Sequence, residues 1–533
     1  MMKIQFQAIE GYAYGAIQPS TIFRFSVNEI LPSDHVDELV KLFSTVTASH
    51  ATDIFEYEDV THGPNHAPTL FIGILAALTQ HSGDRRLSTI KAFSEGDTVV
   101  YALPTLSTDM TWHTLIALSK FLKDTNYNST EAQLSEFLNG LKSSNRKFLP
   151  GGTNTMNFLN AAAQHKIPFK VFRQNYLILG YASGSTILKS SITDQETSIG
   201  VSLARSKVDT NRLLKLSGLP VPDQARIQTI TQAKHFAGEF GYPVVLKPED
   251  ESQGRGIYAN ISDEKELIWC FEKVANTYPT LLIEKHITGD HYRIDFMGEE
   301  LIKAVRRRPP EVVGDGIRTL RELIAELNLD PERLDPYSSK KIVVLDEDLE
   351  RCIKKQQVSL DDVLETKRII YLKSISNLSR GGDQIHVEDD IHPENFKLCQ
   401  MIARTMRLDV LGIDLLSPDL SKPWHSNGTV VCEVNAQPQL GASGTDVYWR
   451  FMKNYLRPPV RIEVEVTNDT SQSQAPLFDT EVSRLKIKLS VADAFSQGCP
   501  VQYFQDFKIA DDVAAADRRR LERLFVSVNP EGA

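Results

Sequence analysis

A chain of 533 residues is too long for one ordinary hydrophobic core and implies two to four structural units. Its 41% hydrophobic and 24% charged residues are those of a globular protein and exclude wholesale disorder. A formal net charge of −10 excludes a general nucleic-acid binder, which needs a basic surface, while leaving room for local basic clusters that hold phosphate.

The chain opens with "MMKIQFQAIEGYAYG", which lacks the basic-then-apolar pattern of a signal peptide, and no later apolar run is long enough to span a bilayer. The five cysteines, Cys270, Cys352, Cys399, Cys432 and Cys499, are odd in number and form no CxxC pair. They point to buried thiols in a reducing, cytoplasmic setting rather than to a disulfide framework.

In chain order, "KIQFQAIEG" and "TIFRFSV" alternate like strands, and "SDHVDELVKLFSTV" has helical periodicity with Ser33 as its N-cap. These elements predict an N-terminal α+β domain over residues 1–148. His62 and His66 are spaced like a helical metal pair, but Pro64 and Pro68 argue against a regular helix, so no metal is assigned to them. The polar, Gly-rich "KSSNRKFLPGGTN" marks a boundary near residue 149. Beyond it strands and helices alternate in α/β fashion: "VVLK", "LLIE", the hairpin-like "RIDFMGEELIKAV", the helix "RTLRELIAEL", and two apolar strands, "LDVLGIDLLSPD" and "VVCEVNAQPQL". After residue 461 the pattern weakens; "VTNDTSQSQAPL" reads as a linker and "DRRRLERLF" as a surface helix, predicting a short C-terminal extension over 462–533.

Several of these segments carry charge where apolar residues are expected. Asp414 sits among Val410, Leu411, Ile413, Leu415 and Leu416, and a buried acid needs a partner or a metal. Glu433 and Asn435 are two apart on a strand and project from one face. "GYPVVLKPEDESQGRGI" couples a strand ending in Lys247 to the loop Gly254-Arg255-Gly256, whose backbone N–H groups could approach phosphate, although such a loop alone is more often a tight turn. It is not a P-loop, since the chain contains no GxxxxGK[ST]. "LLIEKHITGDHYRIDF" ends an apolar strand with Glu284 and sets Arg293 and Asp295 on one face of the next. The run Arg306-Arg307-Arg308 precedes two prolines, and in isolation reads as a solvated face. "SNLSRGGD" offers Asn377, Ser379 and two glycines in a loop after the strand "RIIYLKSI".

The order of these pieces resembles the ATP-grasp superfamily. Residues 150–456, through "GGTNTMNFLNAA", "SKVDTNRLLKLSGLPVP", "VVLKPEDESQGRGI", "ITGDHYR", "RRPPEVVGDGIRTLRELI", "NLSRGGD", "IHPENF" and "LGIDLL…GTVVCEVNAQP", look like the ATP-grasp part of cyanophycin synthetase and related amino-acid ligases. The resemblance implies an ATP-grasp domain over 149–461. It implies that Asp414, Glu433 and Asn435 hold Mg²⁺, two ions with Mn²⁺ as a substitute, and that Lys207, Lys247 and the 254–256 loop bind ATP. It places Glu284 beside adenine and Arg293 and Arg307 at the phosphates or the reacting carboxylate. Three departures stand out: Glu251-Ser252-Gln253 replaces the family's Gly-Asn-His, Glu311 replaces a His, and "PQLGASG" replaces a Pro-Gly segment containing Arg and His. A Mur-ligase-like domain with its own P-loop has no counterpart, so that family's second ligation, arginine addition, is expected to be absent.

The activity this implies is an ADP-forming carboxylate–amine ligase that makes an amide or peptide bond through an acyl phosphate. Its expected substrates are small molecules, amino acids or a short peptide, with no nucleic acid and no membrane as partner. The N-terminal domain is expected to serve substrate binding or homo-oligomerisation. Competing readings are a regulatory module that binds ATP without ligating, and a kinase that stops at a stable phosphorylated product.

Overall fold

The computed structural model describes residues 5–26, 35, 37–38, 40–42, 44, 55–58, 67–173, 175–249, 256–298, 300–334, 338, 340–373, 376, 378–440, 445–469 and 476–525. Ser33, His62, His66, Glu251-Ser252-Gln253, Gly254, Arg255 and Asn377 lie outside the described residues. The chain divides into two compact units, one formed by 1–188 with 455–533 and the other by 189–454. The boundaries expected at 148/149 and 461/462 do not coincide with this division.

In the first unit a five-stranded sheet runs in the order Gln5–Ile9, Ser20–Ser26, Thr98–Pro104, Ile90–Glu95, Phe55–Glu58. Along its three middle strands, successive residues turn alternately to two buried cores. Phe23, Phe25, Val99, Tyr101 and Leu103 face a core shared with the helices Ala67–His81 and Thr108–Asp124. Ile22, Val100, Ala102 and Phe93 face a second core with Ile462, Val464, Val466, Leu485, Ile487, Leu521 and Leu524. Burying each Val, Leu, Ile or Phe among them contributes about 1.5–3 kcal/mol. The region expected to be a short extension therefore belongs to this core. It forms a parallel three-stranded sheet in the order Arg484–Ser490, Arg461–Thr467, Asp506–Ile509. The reason is legible in "RIEVEVT", where Ile462, Val464 and Val466 turn inward and Glu463 and Glu465 turn out to ion pairs with Arg484, Lys488 and Lys508. The helix Ala67–His81 is apolar nearly all round because it is enclosed, and no described helix is long and apolar enough to cross a membrane.

The larger sheets of the second unit are antiparallel, so its architecture is mixed α+β rather than parallel α/β. One, in the order Gln224–Ile227, Leu281–Lys285, Val244–Pro248, Tyr258–Ile261, packs on the helices Ile230–Phe240 and Glu264–Ala275. The other runs Asp383–His386, Glu300–Arg308, Asp290–Met297, Val410–Ser417, Val430–Asn435. The expected hairpin is present, turning at Gly298, whose φ of +59° favours glycine. Between Arg308 and Asp383 the chain leaves this sheet to build a small core around Val312, Leu320, Leu349 and Ile370, including the predicted helix as Leu320–Leu327.

Candidate active site

The five-stranded sheet of the second unit has two unlike faces, and the difference follows from period-two alternation. Tyr292, Ile294, Phe296, Ala304, Leu411, Ile413, Leu415, Val431 and Val434 form one face, packed on the helices Lys207–Leu216 and Pro393–Met406. On the other face the register sets Arg293 opposite Asp414, Asp414 opposite Glu433, Gly412 opposite Asn435, and His291 opposite Arg307. Asp295 lies across from both Lys303 and Gly412. A bulge shapes the outer strand: Asp414 pairs with Glu433 but Leu415 pairs with Val431, leaving Cys432 as the extra residue. Val431 and Val434, three residues apart, can thus both face the core while Glu433 and Asn435 share the polar face.

Asp414 is the hub of this face. Arg293 Nη1 lies 3.1 Å from its Oδ1, Arg307 Nη1 3.5 Å and His291 Nε2 4.0 Å. Burial pushes the Asp414 carboxyl up, but the charges of Arg307 and Arg293 outweigh it and bring it down to about 2. Glu433 moves the other way. Burial and the neighbouring Asp414 charge raise it, against the opposing pull of Lys207, Lys247 and Arg293. Burial lowers His291 to about 4, with Arg307 and Arg293 assisting and Asp414 opposing, so the ring is neutral near pH 7.

The lysines come from other elements of the same unit. Lys247, on the strand Val244–Pro248, is paired with Glu284 at 2.5 Å, and Gln224 Nε2 donates to the same carboxylate oxygen. Both members of the pair are buried. Burial disfavours the Lys247 ammonium, but Glu284 outweighs it and holds the Lys247 pKa above its ordinary value. Lys207, the first residue of a helix capped by Ser206, donates to the Glu249 carbonyl at 3.3 Å. The structure thus gathers Asp414, Glu433, Asn435, Arg293 and Arg307 on one sheet face, with the charges of Lys207 and Lys247 acting on Glu433. Of the arginine run, Arg306 turns to Asp290 at 3.0 Å and only Arg307 reaches Asp414. Gly256, with φ of +67°, begins the described chain after Arg255.

His291 and Lys303 have no role in the sequence reading. Alternation was the available signal, since His291 is two residues before Arg293 in "HYRIDF" and Lys303 is four before Arg307 in "LIKAVRR". Among the described residues no group of three or more His, Cys, Asp and Glu side chains is placed to hold a metal. Asp414, Glu433 and Asn435 instead provide two carboxylates and a carboxamide, an all-oxygen set suited to a hard divalent cation. The Asp414 charge helps raise Glu433, a repulsion that such a cation would relieve.

A pH effect follows from His291. A histidine whose folded pKa lies below its ordinary 6.5 binds fewer protons when folded, so its stabilising contribution is complete above that pH and is lost as pH falls through about 4. With the ring a quarter exposed, the loss is roughly 2 kcal/mol after solvent screening. Metal-free protein in chelator is expected to lose stability from pH 6.5 to pH 4, and His291→Gln to flatten that slope, as read from urea midpoints. An identical slope in the variant would show that His291 does not carry it.

A model of the RimK-like ATP-grasp domain matches residues 372–453, which contain the Asp414 and Glu433 strands. Cyanophycin synthetase of Synechocystis sp. is 33% identical over 293 residues, 54% of this chain and 33% of that protein. The glutathione biosynthesis bifunctional protein of Mannheimia succiniciproducens is 28% identical over 297 residues, 54% of this chain and 39% of that protein. The chain therefore spans about a third of the length of these relatives. The crystal structure of a bifunctional glutathione synthetase from Pasteurella multocida aligns with a TM-score of 0.43 at 22% identity, covering 78% of this chain and 53% of that one. The chain carries a match to the RimK-like ATP-grasp domain over residues 372–453 and resembles cyanophycin synthetase over 293 residues.

Proposed function

We propose that this protein is an ATP-dependent, ADP-forming ligase that joins a carboxylate to an amine, with amino acids or a short peptide as substrates. The carboxylate oxygen attacks the γ-phosphorus of ATP, the bond to the β-phosphate oxygen breaks, and ADP leaves. The amine then attacks the acyl phosphate carbonyl, loses a proton and expels inorganic phosphate, leaving the amide.

The physical difficulty is that two anions must meet. In this reading Lys207 and Lys247 bind the nucleotide phosphates together with the backbone of Gly254, Arg255 and Gly256, and Glu284 lies at the adenine side. Arg293 and Arg307 hold the reacting carboxylate and the transferred phosphoryl group. Asp414, Glu433 and Asn435 hold Mg²⁺, proposed as two ions with Mn²⁺ able to substitute. When bound, the metal neutralises phosphate charge and so lowers the barrier to the carboxylate's approach.

The observation that carries this reading is the polar sheet face on which Asp414 and Glu433 stand opposite each other, flanked by Arg293 and Arg307. Its test is hydroxylamine trapping. With ATP, Mg²⁺ and a panel of amino acids, added hydroxylamine is expected to yield a hydroxamate, with ADP and phosphate formed in equal amounts. AMP and pyrophosphate would mean activation through an adenylate. ATP bound but not consumed with any acid would favour a regulatory module.

A further inference from the structure

The roles proposed above leave out one buried carboxylate on the polar face. Asp295 is fully buried, two residues from Arg293. Its Oδ1 accepts a hydrogen bond from Arg293 Nε at 2.6 Å, and Lys303 Nζ lies 3.2 Å from its Oδ2. The same guanidinium donates from Nη1 to Asp414 at 3.1 Å. Arg293 therefore lies between two carboxylates, one of which is a proposed metal ligand. Gly412 makes this posture possible, because a Cβ there would overlap the guanidinium that lies across its strand.

A guanidinium and a divalent cation compete for Asp414. If Arg293 has a second, short, charge-assisted bond, it stays paired when the metal takes Asp414. Without that bond, releasing Asp414 leaves a buried unpaired cation, which is strongly disfavoured. Arg293 then holds on to Asp414, and the metal binds less readily. Lys303 backs the arrangement, since its ammonium faces the second carboxylate oxygen of Asp295 and its Nζ lies 3.5 Å from the Gln439 carbonyl, just beyond Asn435.

Resting on the ligase reading's assignment of Asp414 to the metal, we propose that Asp295, backed by Lys303, is a positioning residue that keeps Arg293 from closing off Asp414 and so sets how readily the site takes Mg²⁺ with a nucleotide. The test needs no turnover: calorimetric titration of ADP at a series of Mg²⁺ concentrations gives the Mg²⁺ midpoint for nucleotide binding. Asp295→Asn is expected to raise that midpoint about tenfold. Adding Arg293→Gln removes the competitor and is expected to return the midpoint to the wild-type value or below, which a merely structural defect would not do. If Asp295→Asn does not fold, Asp295→Asn with Lys303→Met removes one charge of each sign and carries the same expected rise. An unchanged midpoint in the folded variant, or a rise that Arg293→Gln does not reverse, overturns the inference and leaves the ligase reading intact. Wild-type protein that binds no ADP at any Mg²⁺ concentration overturns both.

Discussion

Asp414→Asn and Glu433→Gln are each expected to cut turnover on the order of a hundredfold or more, yet to change stability in opposite directions. Each substitution removes a negative charge from the proposed cation site at nearly constant volume. Their surroundings differ, however. Asp414 is buried between the guanidinium groups of Arg293 and Arg307, so neutralising it leaves buried positive charge less well paired. Glu433 is raised by burial and by the Asp414 charge, so the metal-free protein gains when that repulsion is removed. In chelator, Asp414→Asn should melt below wild type and Glu433→Gln at or above it. Added Mg²⁺ and ADP should then stabilise wild type and neither variant, because a ligand stabilises only a state that binds it. Full Mg²⁺-dependent stabilisation in both variants would remove these residues from the cation site.

Much of the site was legible because strand geometry is nearly digital. Glu433 and Asn435 two apart, and Arg293 and Asp295 two apart, can only share a face, and the structure shows that they do. Alternation within one strand says nothing about which strand lies beside it. That Arg293 lies against Asp414, 121 residues away, depends on antiparallel register and on Gly412 leaving room. The Cys432 bulge was equally hidden, since an extra residue is visible only against its partner strand. The C-terminal segment was underread for a different reason. The polar "NDTSQSQ" after Val466 has linker composition and drew attention from the alternating strand before it, whose inward residues find their partners more than 400 positions earlier in the chain, at Ile9 and Ile22.

Arg307 and Lys247 should separate chemistry from nucleotide binding. Arg307 Nη1 lies 3.5 Å from Asp414 on the polar sheet face, where charge develops as the phosphoryl group moves in the proposed reaction. A group that acts mainly on the transition state changes kcat and kcat/KM together, with little effect on ground-state affinity. Arg307→Ala is thus expected to lower kcat about 10²- to 10³-fold while the Kd for Mg–ADP changes only a few-fold. Lys247 is different, because it is already paired with buried Glu284. Lys247→Ala leaves that carboxylate without its cation, a loss of about 3–5 kcal/mol in stability, and weakens nucleotide binding before any chemistry occurs. Nucleotide restores little of that stability, since the proposed phosphate contact has gone with the ammonium. Steady-state kinetics, calorimetry with Mg–ADP and urea denaturation measure the three quantities on the same two variants. Equal losses of kcat and affinity in Arg307→Ala would make Arg307 another nucleotide contact, and unchanged nucleotide binding in a folded Lys247→Ala would leave the Lys247–Glu284 pair a structural brace.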